Sequence, residues 1–167
     1  MTDSAVPLDA RQFSVWADFV LAHTRVMRLI EHAIRKETGL TWAQYDVLYN
    51  LAAEPDSALS IGDLTRTLLY SSGSASKLVA AMQRSGLIER EQSQEDKRVI
   101  LVRPTPEGSA AFAKATAEVL RVVREEFAVH LGSEELPVVA AFLRRLREQD
   151  PKLRRPPYDL PVELAAE

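Results

Sequence analysis

Apolar residues recur at helical spacing from Phe13 through Trp16, Val20, Met27 and Ile30 to Ile34, which marks one face of an α-helix. Asp9-x-x-Gln12 in front of this run has the form of a capping box, and Gly39 supplies a stop. A first helix is therefore predicted from about Asp9 to Thr38. About thirty residues is long for a small globular protein, so this helix is expected to pack against a partner as well as its own domain. A second helix opens at the capping box Thr41-x-x-Gln44 and runs to about Glu54, with Tyr45, Leu48, Leu51 and Ala52 facing inward. Pro55-Asp56-Ser57 then breaks the chain. A short third helix is capped by Ser60-x-x-Asp63 and turns Leu64, Leu68 and Leu69 inward. After a break at Tyr70-Ser71-Ser72, a fourth helix runs to Ser85 and stops at Gly86. Two short helices joined by a tight turn make a helix-turn-helix candidate.

The period then changes. Leu87 to Gln92 and Val99 to Pro104 read as β-strands, separated by the polar stretch Ser93 to Arg98. This predicts a small hairpin with an exposed, charged tip. Thr105-Pro106-Glu107 is a strong helix start, with a capping hydroxyl, a proline and then an acid. A fifth helix is expected to run to about Leu131. Gly132-Ser133 breaks it, and a sixth runs from Ser133-Glu134-Glu135 to about Glu148. Pro151, Pro156, Pro157 and Pro161 make the remainder an extended tail. The fold class is mainly α with a small β-hairpin wing.

The fourth helix carries the strongest functional signal. On a helical wheel Ala75, Leu78 and Met82 cluster on one face. The other face presents Ser72, Gly73, Ser76, Lys77, Ala80, Gln83 and Arg84. That face is small, hydroxylic and basic, and no acid occurs from residue 71 to 85. Small residues suit entry into a major groove about 12 Å wide, and hydroxyls and helix N-terminal amides can bond phosphates or base edges. The bland alternative is a solvated surface face, but such faces usually mix acids with bases. Lys97 and Arg98 lie at the hairpin tip. Asp96 is expected to hold the Arg98 guanidinium by a charge-assisted bond, aiming it at a narrow minor groove. An ordinary polar turn is the alternative there.

Composition changes this picture in two ways. The formal net charge is −3, which looks wrong for a nucleic-acid binder, yet its distribution is uneven. Residues 60–104 carry seven basic groups against five acidic ones, and the rest of the chain is acidic. The absence of cysteine excludes disulfides, thiolate-bound zinc and thiol redox sensing by this chain. His23, His32 and His130 are scattered without a His-x3-His pair, so neither a metal nor another cofactor is expected. There is no Gly-rich phosphate loop and no Gly-x-Ser-x-Gly elbow, which argues against an enzyme. No apolar run reaches the roughly 18 residues of a membrane span, and Met1 to Pro7 lacks the character of a signal peptide, so a cytoplasmic protein is expected.

Taken together, Leu59-Ser60-Ile61-Gly62-Asp63-Leu64, Ser74-Ala75-Ser76-Lys77-Leu78-Val79, Gly86-Leu87-Ile88-Glu89-Arg90, Asp96-Lys97-Arg98 and Thr105-Pro106-Glu107-Gly108 resemble the MarR family of bacterial transcription regulators. The likeness runs from about Tyr45 to Gly108. It implies a winged helix-turn-helix lobe over 41–108. It also implies a dimerisation helix over 1–40 and further dimerisation helices over 109–149, and the prolines set off a tail over 150–167. It implies a homodimer, each lobe reading half of a pseudo-palindrome in double-stranded DNA, with repression as the usual outcome. The resemblance places base-facing contacts on Ser72, Ser76 and Lys77, and a wing arginine on Arg98 braced by Asp96. Ser74, Arg84 and Lys97 complete the candidate set for DNA. The family often has Thr at the position of Ser76 and Arg at that of Lys77, and Lys loses the bidentate fork.

Many regulators of this family bind a small aromatic or phenolic anion between the dimer helices and the lobe. Trp16, His23, Tyr45, Asp46 and Tyr49 are the candidates here. Tyr45 and Trp16 read equally as core or interface aromatics, and Asp46 as a holder of a lobe arginine such as Arg90. The rival function is a winged-helix protein-interaction module that does not bind DNA.

Overall fold

The computed structural model describes residues 8–54, 56–67, 72–94 and 96–149; the expectations for Leu68, Leu69 and the tail fall outside these. The chain begins with α1 (Ala10–Thr38), whose capping box forms as expected: Arg11 N–H donates to the Asp9 carboxylate and Asp9 N–H to the Gln12 side chain. Next comes α2 (Trp42–Ala52), capped reciprocally by Thr41 and Gln44. Then follow β1 (Leu59–Ser60), α3 (Ile61–Thr67) and α4 (Ser72–Arg84). The strands β2 (Ile88–Gln92) and β3 (Ile100–Pro104) precede α5 (Pro106–Glu126), a 3₁₀ turn at Ala128–His130, and α6 (Leu136–Arg147).

The sheet is larger than the hairpin that the pattern predicted. β1 pairs antiparallel with β3, Leu59 opposite Val102 and Ser60 opposite Leu101, which gives the order β1-β3-β2. The added strand is two residues long and carries no alternation of its own, so periodicity cannot reveal it. The fifth helix is shorter than expected. Phe127 adopts φ −128° and ends α5 at Glu126, and the 3₁₀ turn takes up residues expected to be α-helical.

The core forms where α2 is enclosed by the other elements. Tyr45, Val47, Leu48, Asn50 and Leu51 are buried around nearly the whole of α2, whereas Ala52, expected inward, is exposed. Ile30, Ala33 and Ile34 of α1, Leu64 of α3, Ala75, Val79 and Met82 of α4, and Ala115 and Val122 of α5 close around it. Leu87, Ile88 and Val102 seal the sheet side. Val79 was not among the residues expected to face inward, while Leu78 is only half-buried.

The N-terminal half of α1 stands clear of this core. Phe13, Trp16, Phe19 and Val20 are exposed. No residue of α6 is buried, although Leu136, Val138, Phe142 and Leu146 are apolar. Contiguous apolar faces of this kind on a stable chain mark an interaction surface.

Two glycines join the lobe to α5. Gly86 adopts φ +74° after α4, a conformation that side-chain-bearing residues rarely take. Gly108 sits so close to Leu87 that a Cβ would lie 1.9 Å from the Leu87 carbonyl oxygen. Thr105 completes the junction. Its side chain accepts from Gly108 N–H, its hydroxyl donates to the Gly86 carbonyl at 2.6 Å, and its N–H donates to the Leu87 carbonyl at 3.1 Å.

Candidate nucleic-acid interface

On α4 the buried stripe Ala75, Val79 and Met82 anchors one face and leaves the other to solvent. Gly73, Ser74, Ser76, Lys77, Gln83 and Arg84 are exposed there. Ser72 opens the helix, and its side chain lies outside the described residues. Ser74, Ser76 and Lys77 share the N-terminal half, while Arg84 lies in the last turn, about 18 Å along the axis from Ser72 at 1.5 Å per residue. The exposed face is free of acids along the whole of α4.

The wing is the antiparallel ribbon of β2 and β3, with Ile88 opposite Pro104 and Gln92 opposite Ile100. Its tip is stitched by short-range bonds. Ser93 N–H donates to the Val99 carbonyl and Val99 N–H to the Asp96 carbonyl, both at 2.9 Å. The Gln92 side-chain amide donates to the Lys97 carbonyl. Arg98 N–H donates to the Asp96 carboxylate at 2.9 Å. The expectation for Asp96 is corrected in its detail. The carboxylate engages the backbone of Arg98, and no ion pair links it to the Arg98 guanidinium among the described residues. A carboxylate two residues before an amide closes a local turn more readily than it reaches the far end of an arginine. Asp96 thus shapes the tip, and Lys97 and Arg98 project from it exposed. Gln92 was missed by sequence reasoning; nothing in the strand pattern separates it from its polar neighbours.

The candidate ligand residues are not brought together in one chain. Tyr45 is buried, its hydroxyl 3.4 Å from that of Thr116 and its ring near Trp42, Tyr49 and Phe112. Burial raises its pKa. Tyr49 is half-buried in the same aromatic group. Trp16 pairs with Phe13, and His23 stacks on Phe19, on the exposed half of α1. Trp16 is 14 positions before Ile30, the first buried residue of α1, or about 21 Å along the helix. Asp46 does not hold Arg90. The Asn50 amide donates to its carboxylate at 3.2 Å and to its main-chain oxygen at 2.7 Å. Burial is the main cause that lifts the Asp46 pKa to about 6, and the Asn50 bond opposes it. Among the described residues, no group of three or more His, Cys, Asp or Glu side chains is arranged to hold a metal ion, and no helix is long and apolar enough to cross a membrane.

A helix-turn-helix followed by a β-ribbon whose charged tip projects from the lobe defines a winged helix-turn-helix protein. Residues 38–99 match the MarR family model. The transcriptional regulatory protein assigned to the hcr operon of Thauera aromatica is 29% identical over 127 residues, covering 74% of this chain and 72% of that protein. The fold is similar to that of Sco3205, a MarR family transcriptional regulator of Streptomyces coelicolor solved in complex with DNA. That match has a TM-score of 0.79 at 22% identity and covers 89% of this chain and 92% of Sco3205. It is also similar to that of the organohalide-sensing regulator RdhR-CbdbA1625 in its 2,4-dichlorophenol-bound form, with a TM-score of 0.71 at 16% identity and 89% of each chain covered. The chain thus resembles MarR family transcriptional regulators in the segment 38–99 and shares their fold.

Proposed function

We propose that this chain is a transcriptional regulator of the MarR family, a cytoplasmic homodimer that binds a pseudo-palindromic site in double-stranded DNA and represses the gene it covers. The observation that carries the reading is the pairing of an acid-free, small-residue face on α4 with exposed cations at the wing tip. In this reading α4 enters the major groove, with Ser72, Ser74, Ser76 and Lys77 toward base edges and phosphates and Arg84 on the backbone. Lys97 and Arg98 reach the minor groove, where Arg is favoured by narrow, electronegative segments. Asp96 and Gln92 hold the tip that presents them. The complex of Sco3205 with DNA supports DNA binding on this fold. The exposed apolar residues of α1 and α6 support a dimer built from residues 1–40 and 109–149 around the lobes at 41–108. A modest local charge on each head makes the joint engagement of two heads important for affinity.

The dimer is expected to respond to a small aromatic ligand at the α2 aromatic group, where Tyr49 is half-buried near Phe112 and Asp46 is half-buried on the same helix. The neighbour solved with 2,4-dichlorophenol supports an aromatic ligand on this fold. The Asp46 carboxylate beside such a site disfavours an anion at neutral pH, so an uncharged phenol fits better than the anion expected from sequence. Trp16 and His23 join this site only if a second protomer supplies them.

The test is binding of purified protein to the DNA upstream of its own gene, by fluorescence anisotropy, with and without 2,4-dichlorophenol. Tight binding that weakens steeply with salt is expected, with release by the phenol. Absence of salt-sensitive binding to this DNA and to genomic fragments would instead favour a protein-interaction module. A dimer in light scattering at micromolar concentration is expected, and a monomer there rejects the two-headed arrangement.

A further inference from the structure

We propose that Arg103 is a positioning residue for DNA binding, a brace that ties the wing to the loop before β1 and so fixes the angle of the tip cations relative to α4. The inference rests on the DNA-binding reading above and extends it to a residue that sequence reasoning counted only as part of the positive charge of the head.

Arg103 stands on β3, the central strand of the sheet. Its Nε donates to Glu91 Oε2 on β2 at 3.1 Å. Its Nη1 donates to the main-chain carbonyl of Asp56, in the loop between α2 and β1. One guanidinium therefore links β2 to the loop before β1, the two sides of the sheet between which β3 runs. Arginine suits this task because its planar fork serves two acceptors in a fixed relation, which a lysine ammonium does not.

The sheet needs such a link. β1 contributes two residues and pairs only with Val102 and Leu101. Beyond that point the wing is a two-stranded ribbon, a form that is marginally stable alone and twists readily. The described residues of this loop form a turn. Ser57 takes φ +50°, and its N–H donates to the Glu54 carbonyl at 2.9 Å. Glu54 follows the end of α2, the helix around which the core is built. The path from the wing to the core thus runs from Glu91 through Arg103 and Asp56 to the end of α2.

Glu91 supplies a test in which two explanations predict opposite signs. Removing an acid from a DNA-binding head strengthens binding if only long-range charge matters. Removing it weakens binding if Glu91 is one end of the brace. Affinity for the upstream DNA would be measured across a range of salt concentrations for the wild-type dimer, Arg103→Gln, Glu91→Gln and the double variant. Hydrogen exchange would be followed without DNA in the same four proteins.

The expected result is a loss of about threefold to tenfold for each single variant, the range of one exposed ion pair plus one hydrogen bond. The double variant should bind no worse than Arg103→Gln. The salt slope of Arg103→Gln should equal that of the wild type, and wing amides at 89–92 and 100–103 should exchange faster in every variant. Tighter or unchanged binding by Glu91→Gln overturns the brace. A salt slope shallower by about two in the Arg103→Gln dimer also overturns it, because Arg103 is then a phosphate ligand in each protomer. Unchanged wing exchange overturns it without reference to DNA. If the wild type shows no salt-sensitive binding, the DNA reading itself fails, and the exchange data still decide whether the brace exists.

Discussion

Replacing Gly108 with alanine should destabilise the protein, against the usual effect of that substitution. Inside a helix, Gly→Ala stabilises by up to about 1 kcal/mol. Here the new methyl would lie 1.9 Å from the Leu87 oxygen and 2.9 Å from its carbonyl carbon. Both are backbone atoms that follow directly on Gly86 and the end of α4, so no flexible side chain can give way. Restoring ordinary contact requires α5 or Leu87 to move by more than about 1 Å. That motion opens the bonds from Thr105 to Leu87 and Gly86, each worth about 1 kcal/mol. Overpacking adds about 1–3 kcal/mol. Set against the helix propensity gain, the net loss should be about 2–4 kcal/mol. Urea denaturation at equal protomer concentration reads this directly, since dimer stability depends on concentration. Gly73→Ala serves as the control, because a Cβ there meets nothing within 4 Å, and it should be neutral or slightly stabilising. A Gly108→Ala protein as stable as the wild type would refute the account of the lobe–α5 junction.

Asp46 predicts a pH dependence. Its pKa is raised from 3.8 to about 6 in the folded protein, so between these values the native state binds a proton that the unfolded chain has released. The stabilising contribution of the proton is full below about pH 4 and is lost as pH rises through 6. Its size is at most about 3 kcal/mol. Asp46→Asn should therefore be more stable than the wild type at pH 7.5 and nearly equal to it at pH 4; a difference that does not change with pH contradicts the assignment. Arg98→Ala, which removes one contact from each protomer, should weaken binding to all DNA sequences and make the salt slope shallower by about two, whereas Ser76→Ala should change which sequences are preferred; equal losses on every sequence for both would reject this division. Phe142→Glu in α6 should shift the dimer toward monomer in light scattering at micromolar concentration, and an unshifted dimer would remove α6 from the interface.

Much of the fold is legible in short-range chemistry. Asp9 with Gln12 and Thr41 with Gln44 announce two helix starts, and Thr105-Pro106 a third, because each satisfies backbone donors within a few residues. Gly86 marks the end of α4 because the next turn needs a positive φ. The exposed faces of α1 and α4 follow from periodicity alone. What stayed hidden depends on contacts between distant residues. β1 exists only because Leu59 meets Val102. The end of α5 at Phe127 is marked by neither glycine nor proline. Val79, by contrast, is inward because it lies about 40° from Ala75 on the wheel, a placement that periodicity allows and the sequence reading passed over.

The candidate site divides along the same line. The α4 residues and tip cations lie on local elements, and their exposure was readable from sequence. The bond that Asp96 makes to backbone rather than to a guanidinium required the turn geometry. The ligand candidates are not gathered within one chain, because Trp16 and His23 lie on the exposed half of a long helix while Tyr45 belongs to the core. Arg103 was visible as a charge but not as a link, since Asp56 lies 47 residues away in sequence.

In the proposed complex two heads, each carrying an acid-free α4 face and a charged wing tip, grip one DNA duplex. The most direct measurement is the dependence of binding affinity on salt, using the wild type and a Lys97→Ala/Arg98→Ala variant. If Lys77, Arg84, Lys97 and Arg98 of both protomers meet phosphates, log K should fall linearly with log salt with a slope near about −7. Removing both tip cations should bring the slope to about −4 and weaken binding to every sequence. A wild-type slope near zero, or a slope unchanged by loss of the tip cations, would contradict the account.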